Sequence, residues 1–303
     1  MRDPLITKPT IVVTSLGRTG TKFFQLLFDA IVPQATSLHE PDYLNFGQYE
    51  GTGTRIAQVA RQIREAGARN MLVKKPLGQW SLVALSDARL RGELSDAEVA
   101  RRVLQQRRDF VRAQRGTPYI ESSSAYYGLI DVLPYVFQRH RVAYILRDGR
   151  SWVRSKMNWG NMYAKRGLRR LVSRTWPTAL DLPDDPYRER WEAMSRFERI
   201  CWSWTRLNEQ ALAAVERNPD ARTFKFEEIF KSEERYTHLE IMVEFLVALP
   251  GMEALRLGPL DGWLDRKVHQ SEARFPAWEG WTAEHCRQFT EICGPLMERA
   301  GYA

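Results

Sequence analysis

Three groups of residues in this chain have the types and spacing to do chemistry. The first is Ser15-Leu-Gly-Arg-Thr-Gly-Thr-Lys22, a short glycine-bearing loop between the β-branched run Thr10–Thr14 and residues that turn apolar at helical spacing. Strand, tight loop and helix in that order aim successive backbone N–H groups and the positive end of a helix dipole at one point, which suits a phosphate or sulfate group. The second is Arg147-Asp-Gly-Arg-Ser-Trp-Val-Arg-Ser155, where an arginine ends the apolar run Arg141–Leu146 and a serine stands eight residues later on the predicted helix. A strand-end guanidinium and a hydroxyl two helical turns on can meet one phosphate from two sides. The third is Leu38-His39-Glu40-Pro41-Asp42, where an imidazole and a carboxylate are each able to accept a proton from a hydroxyl.

The first loop does not satisfy GxxxxGK[ST]. Ser15 stands five residues before Gly20 where a glycine is required, and Lys22 does not directly follow Gly20. An ordinary ATP or GTP phosphate loop is therefore disfavoured.

These groups need a scaffold that brings strand ends together. Thr117–Glu121, Arg141–Leu146 and Ala221–Phe226 read as further strands, and Asn70–Lys75 as one stopped by Pro76. Helices are expected over Arg55–Ala66, from the capping-box pattern Ser95-Asp-Ala-Glu98 to about Gly116, over Ala125–Phe137, over Tyr187–Glu216 and over Thr282–Arg299. Glu227–Lys231 begins another, and Leu38–Tyr43 reads as a polar, proline-marked connection. Strands alternating with helices predict an α/β domain with a mainly parallel central sheet flanked by helices, and 303 residues without a linker or repeat predict one domain over 1–303.

Composition narrows the partner. Lys+Arg number 45 against 37 Asp+Glu, a formal net charge of +8 carried mostly by arginine, the side chain shaped for bidentate oxyanion contacts. A phosphorylated small molecule, nucleic acid and an acidic membrane surface all match that charge. No apolar run approaches the roughly 20 residues of a membrane helix, and Met1–Lys8 lacks a signal-peptide core, so a soluble, cytoplasmic protein is expected. Cys201, Cys286 and Cys293 cannot all pair and show no metal-ligand spacing, and the last two share one face of the C-terminal helix.

Read together, Arg18-Thr19-Gly20-Thr21 after the first strand and Arg147…Ser155 after a later one resemble the two signatures of sulfotransferases that use 3′-phosphoadenosine 5′-phosphosulfate (PAPS). The resemblance implies a P-loop-NTPase-like sulfotransferase fold and sulfuryl transfer to an acceptor hydroxyl, with 3′-phosphoadenosine 5′-phosphate (PAP) as product and no metal. By the same resemblance Gly17, Arg18, Thr19, Gly20, Thr21 and Lys22 hold the 5′-phosphosulfate, with Arg18 aimed at the bridging oxygen, and Arg147 with Ser155 holds the 3′-phosphate. Glu40 takes the position of the base in the glycan and protein-tyrosine branches, with His39 as its rival. Gly149 stands where many members have proline, and the RDGR wording resembles that of the protein-tyrosine branch. A lysine of those branches is missing, since Glu121-Ser-Ser-Ser124 stands in its place, and Lys74 or Lys75 is the expected substitute. The late basic segment of the family has a loose counterpart in Arg266, Lys267, His269, Arg274, Trp278 and Trp281. Trp152, Trp159 and Tyr163 are placed to border an acceptor cleft, whereas Trp191, Trp202 and Trp204 read as core.

The implied acceptor is a small molecule, glycan or lipid, with no nucleic-acid partner. Two other readings stay open: a nucleotide-dependent kinase, which requires Mg²⁺, and a basic nucleic-acid binder using Arg101–Arg115 and Lys165–Arg174.

Overall fold

The run Thr10–Thr14 forms β1, and all five of its residues are buried. Burial on both faces is what a central parallel strand requires, and it explains a β-branched run without polar alternation. The computed structural model describes residues 4–41, 60, 81–159, 162–163, 176–266 and 274–302. Its strands are β1, β2 (Thr36–His39), β3 (Tyr119–Ser122), β4 (His140–Leu146) and β5 (Ala221–Lys225), all parallel, in the order β2-β3-β1-β4-β5.

Helices cover both faces. Ile11, Val13, Ala143, Ile145 and Phe224 point to one side, where α1 (Thr21–Ile31) and α7 (Arg235–Val247) supply Phe24, Phe28, Leu239 and Leu246. Val12, Val142 and Tyr144 point to the other, under α3 (Asp96–Ala113), α5 (Arg196–Glu216) and α8 (Ala283–Arg299). Three shorter helices complete the set: α2 (Leu82–Leu90), α4 (Gly149–Asn158) and α6 (Phe226–Lys231). The mainly parallel α/β sheet expected from sequence is found, and Trp191, Trp202 and Trp204 are core residues.

The order of the strands creates the site. β1 is followed by a connection toward β2 on one side of the sheet, and β4, its neighbour, by one toward β5 on the other. Adjacent strands whose connections part in this way leave a crevice at their carboxyl ends, where ligands of open α/β sheets bind. The loops after Thr14 and Leu146 border that crevice, and they are the two loops singled out by their chemistry.

Several local expectations change. Leu38 and His39 belong to β2 rather than to a connection, and the region Ala125–Phe137 is not one helix but two short 3-10 turns, Ser124–Tyr126 and Ile130–Tyr135, with Gly128 between them and Pro134 in the second. The long helix ending at Glu216 starts at Arg196, where Ser195 and Glu198 close a capping box, and residues before it form only the turn Trp191–Ala193. The expected strand Asn70–Lys75 lies outside the described residues, as does the expected helix Arg55–Ala66 apart from residue 60.

One buried ion pair sets the end of β3. Glu121 is fully buried and receives Arg107 Nη2 at 2.8 Å and Nε at 3.0 Å, with the hydroxyls of Tyr119 and Tyr126 at 2.6 and 2.8 Å. Removing one partner of such a pair strands a charge in the core. Arg107→Met is therefore expected to cost about 3–5 kcal/mol in urea unfolding; a loss below about 1 kcal/mol would show that the pair does not hold this strand.

Candidate active site

The loop after β1 has an unusual backbone. Gly17, Arg18 and Gly20 all have positive φ, at 75°, 61° and 79°. Arg18 is a non-glycine residue in the left-handed region, a conformation that costs energy and is held only where surroundings enforce it. Four hydrogen bonds enforce it here. Ser15 Oγ accepts from the Gly17 N–H at 3.0 Å and also meets the Thr19 hydroxyl, so the buried Thr19 side chain braces the loop from within. Trp152 Nε1 donates to the Gly17 carbonyl at 3.1 Å, and an Arg147 Nη1 N–H donates to the Arg18 carbonyl. In a trans peptide the next N–H points opposite its carbonyl, so these two bonds turn the amides of Arg18 and Thr19 outward. Neither amide, nor that of Gly20, donates to another described residue.

The helix that follows continues the pattern. Gly20 is the N-cap of α1 and offers no side chain to cap it, and the first turn has no acidic residue. At α4 the opposite holds, because the Asp148 carboxylate accepts from the amides of Arg150 and Ser151 and also binds the Arg150 guanidinium. The uncapped end of α1 is thus suited to an external anion, whereas the start of α4 is satisfied internally.

The two predicted motifs meet. Arg18 Nε donates to Ser155 Oγ at 3.0 Å, so the side chain of the first motif reaches the hydroxyl of the second. Arg147 lies over the Phe226 ring at 4.6 Å and donates through Nε to Ser151 Oγ at 2.8 Å. Behind it Glu227 accepts from Ser151 Oγ, the Asp148 amide and Tyr302 Oη, a network that fixes where β4 ends and α4 begins. Burial lowers the pKa of the Arg147 guanidinium, with the nearby Glu227 and Asp148 carboxylates opposing the shift and Arg18 and Arg154 adding to it, and partial desolvation lowers that of Arg18, although its side chain reaches solvent. Neither Arg18 nor Arg147 forms an ion pair among the described residues. Desolvated arginines without carboxylate partners stabilise a bound anion. Lys22 is half-buried on the first turn of α1, and Thr21 is buried beside it.

Gly149 also has a physical reason. A Cβ there would stand 3.1 Å from Phe289, 3.2 Å from Met297 Sδ and 3.2 Å from Trp204, so α4 starts in tight contact with α5 and α8, which would have to give by a few tenths of an ångström to take a side chain.

The third group borders the same crevice from β2. Glu40 has a φ of 43°, and its Oε1 accepts from Ser124 Oγ at 2.7 Å. His39 Nδ1 is 3.0 Å from the Ser122 carbonyl, which can only accept, so Nδ1 carries a proton. Nε2 then faces Glu40 Oε2 at 4.0 Å. Two of the described non-glycine residues with positive φ, Arg18 and Glu40, are site residues chosen from sequence, and the third is Tyr163. At the adjacent strand ends, the buried hydroxyls of Thr14 and Ser122 have no hydrogen-bond partner among the described residues.

The aromatic residues divide differently from expectation. Trp152 is buried and pins the loop rather than bordering a cleft, and Tyr163 donates to the Pro177 carbonyl and packs edge-on against Trp191; only Trp159 is exposed. In the late segment Trp281 is buried against Phe197 and Trp278 lies beside Arg150, while Arg266 stacks on Trp263 at 3.8 Å. Arg274 is exposed. Lys74, Lys75, Lys267 and His269 lie outside the described residues. Sequence reasoning passed over Lys156, whose buried ammonium lies beside Gly17. Its signal was positional: Gly149, Trp152, Val153 and Lys156 form the buried stripe of α4, so a lysine occupies a core place.

Among the described residues no cluster of three His, Cys, Asp or Glu could hold a metal ion, and no helix is long and apolar enough to cross a membrane. No family model matches the chain, and no curated protein matches it. Among solved structures the chain is similar to the "Sulfotransferase Domain from the Curacin Biosynthetic Pathway", 12% identical, covering 80% of this chain and 74% of that one with a TM-score of 0.41. The geometry above stands independently of that likeness.

The Trp152 bond can be tested by itself. Trp152→Phe keeps a ring and removes one donor, so the sulfate concentration giving half-maximal thermal stabilisation should rise about three- to tenfold, the worth of one hydrogen bond. An unchanged midpoint would mean that the Gly17 carbonyl needs no pin.

Proposed function

We propose that this chain is a sulfotransferase that moves a sulfuryl group from PAPS to the hydroxyl of a small-molecule, glycan or lipid acceptor. The observation that carries the reading is the meeting of Arg18 and Arg147, two cations without ion-pair partners among the described residues, at a loop whose Arg18, Thr19 and Gly20 amides have no hydrogen-bond acceptor among those residues. A ligand with two anionic groups on one scaffold fits that arrangement.

In this reading the amides of residues 17–22, with Thr21, hold the 5′-phosphosulfate, and Arg147 with Ser155 holds the 3′-phosphate. PAPS supplies an activated sulfuryl group, and the reading invokes no metal. Glu40 accepts the acceptor's proton on its carboxylate, which the Ser124 hydroxyl orients. His39 is held by the Ser122 carbonyl and backs Glu40 rather than replacing it. The protein's part is to position and to place charge, as in phosphoryl transfer.

Calorimetry tests this directly. The wild type should bind PAP well and ATP weakly, and Arg147→Ala should weaken PAP binding by about 2–4 kcal/mol with the fold intact, because a charged contact at a partly buried site is lost. Equal affinity for ATP and PAP, with ATP binding dependent on Mg²⁺, would favour the kinase reading, and unchanged PAP binding by Arg147→Ala would sink the assignment.

A further inference from the structure

α4 carries two neighbouring residues that reach two adjacent residues of the anion loop. Ser155 meets Arg18, and Lys156 meets Gly17. The Arg18 side chain is therefore directed toward the second motif, and the cation standing beside the Gly17 end of the loop is Lys156. Its Nζ is 3.9 Å from where a Cβ on Gly17 would be. Ser124 Oγ is also 3.9 Å from that point, and that hydroxyl is the one bound to Glu40. Lys156 and the Ser124–Glu40 pair thus both flank the α-carbon of Gly17.

The ammonium is built into place. Lys156 is 4% exposed, and Nζ lies over the rings of Trp152, Trp159 and Trp176 at 4.9, 5.0 and 5.4 Å. Indole faces attract a cation without cancelling its charge. They also exclude water, and a charge acts far more strongly where water is excluded. The backbone beneath is held by Arg196, which donates to the carbonyls of Lys156 at 3.2 Å, Met157 at 3.1 Å and Met162 at 2.9 Å.

We propose that Lys156 contacts the transferring sulfuryl group and stabilises its charge next to the proton acceptor. The inference rests on the sulfuryl-transfer reading and adds a residue to it. In the balanced step the acceptor oxygen forms a bond to sulfur as its proton passes to the Glu40 carboxylate. The bond from sulfur to the 5′-phosphate oxygen breaks, and its electron pair leaves with PAP. Lys156 stays protonated throughout and supplies charge only.

PAPS and PAP differ by the group Lys156 is proposed to touch, so their affinities separate this role from a structural one. By calorimetry, Lys156→Met should weaken PAPS binding about tenfold or more, the worth of one charged contact, and leave PAP binding within about threefold. Lys156→Arg should recover most of the loss. If Lys156→Met does not fold, Trp159→Ala, at the exposed edge of the cage, should give a smaller PAPS-selective loss of about threefold. Unchanged PAPS affinity, or equal losses for PAPS and PAP, would overturn the proposal while PAP binding by the wild type keeps the parent reading. Binding of neither nucleotide by the wild type would overturn both.

Discussion

Two hydrogen bonds from residues of a single strand-to-helix junction control the shape of the candidate site. Arg147, just past the end of β4, and Trp152, on α4, hold the consecutive carbonyls of Arg18 and Gly17. Because carbonyl and amide point opposite ways across a trans peptide, fixing two carbonyls fixes two donors, and the left-handed backbone at Gly17 and Arg18 is what that requires. The loop is shaped before any anion arrives, so binding does not have to order it. The same bonds tie β1 to β4, the two strands whose connections part to open the crevice.

The charges around this loop are arranged unequally. Carboxylates of the core are paired where they are buried: Glu121 with Arg107, Asp131 with Arg89 and Arg217, Asp185 with Arg206. Arg18 and Arg147 lack such partners among the described residues, and burial lowers the pKa of both. Together with Lys156, which is buried among indoles nearby, these two cations concentrate positive potential near the carboxyl ends of β1 and β4. Glu121 is fully occupied by Arg107 and two tyrosines beneath β3, so it adds rigidity to the strand end that carries Ser122 and Ser124 and takes no part at the crevice.

The parts of this picture that the chain states locally were legible. Glycines at 17 and 20, a strand-end arginine at 147 and a serine two turns later are read from spacing alone, and the capping-box pattern at Ser95 marked a helix that begins there. What was not legible depends on packing. β2 is a four-residue edge strand with only Ser37 buried, too short to show a period, and it took its shape from β3. The turns around Gly128 and Pro134 carry helical spacing that the backbone cannot sustain. Trp152 looked like an acceptor-facing ring because its indole N–H partner, a backbone carbonyl far away in sequence, leaves no trace in composition. Gly149 is similar: its tight contact is with Phe289 and Met297 from the far end of the chain.

The central claim is that the outward amides of the β1 loop are anion donors pre-set by their pinned carbonyls. Amide proton shifts in a PAP titration followed by nuclear magnetic resonance test it most directly. The account predicts the largest downfield shifts at Arg18, Thr19, Gly20 and Thr21, as expected when backbone N–H groups gain a charged acceptor. Shifts confined to other residues, with these four unmoved at saturation, would contradict it.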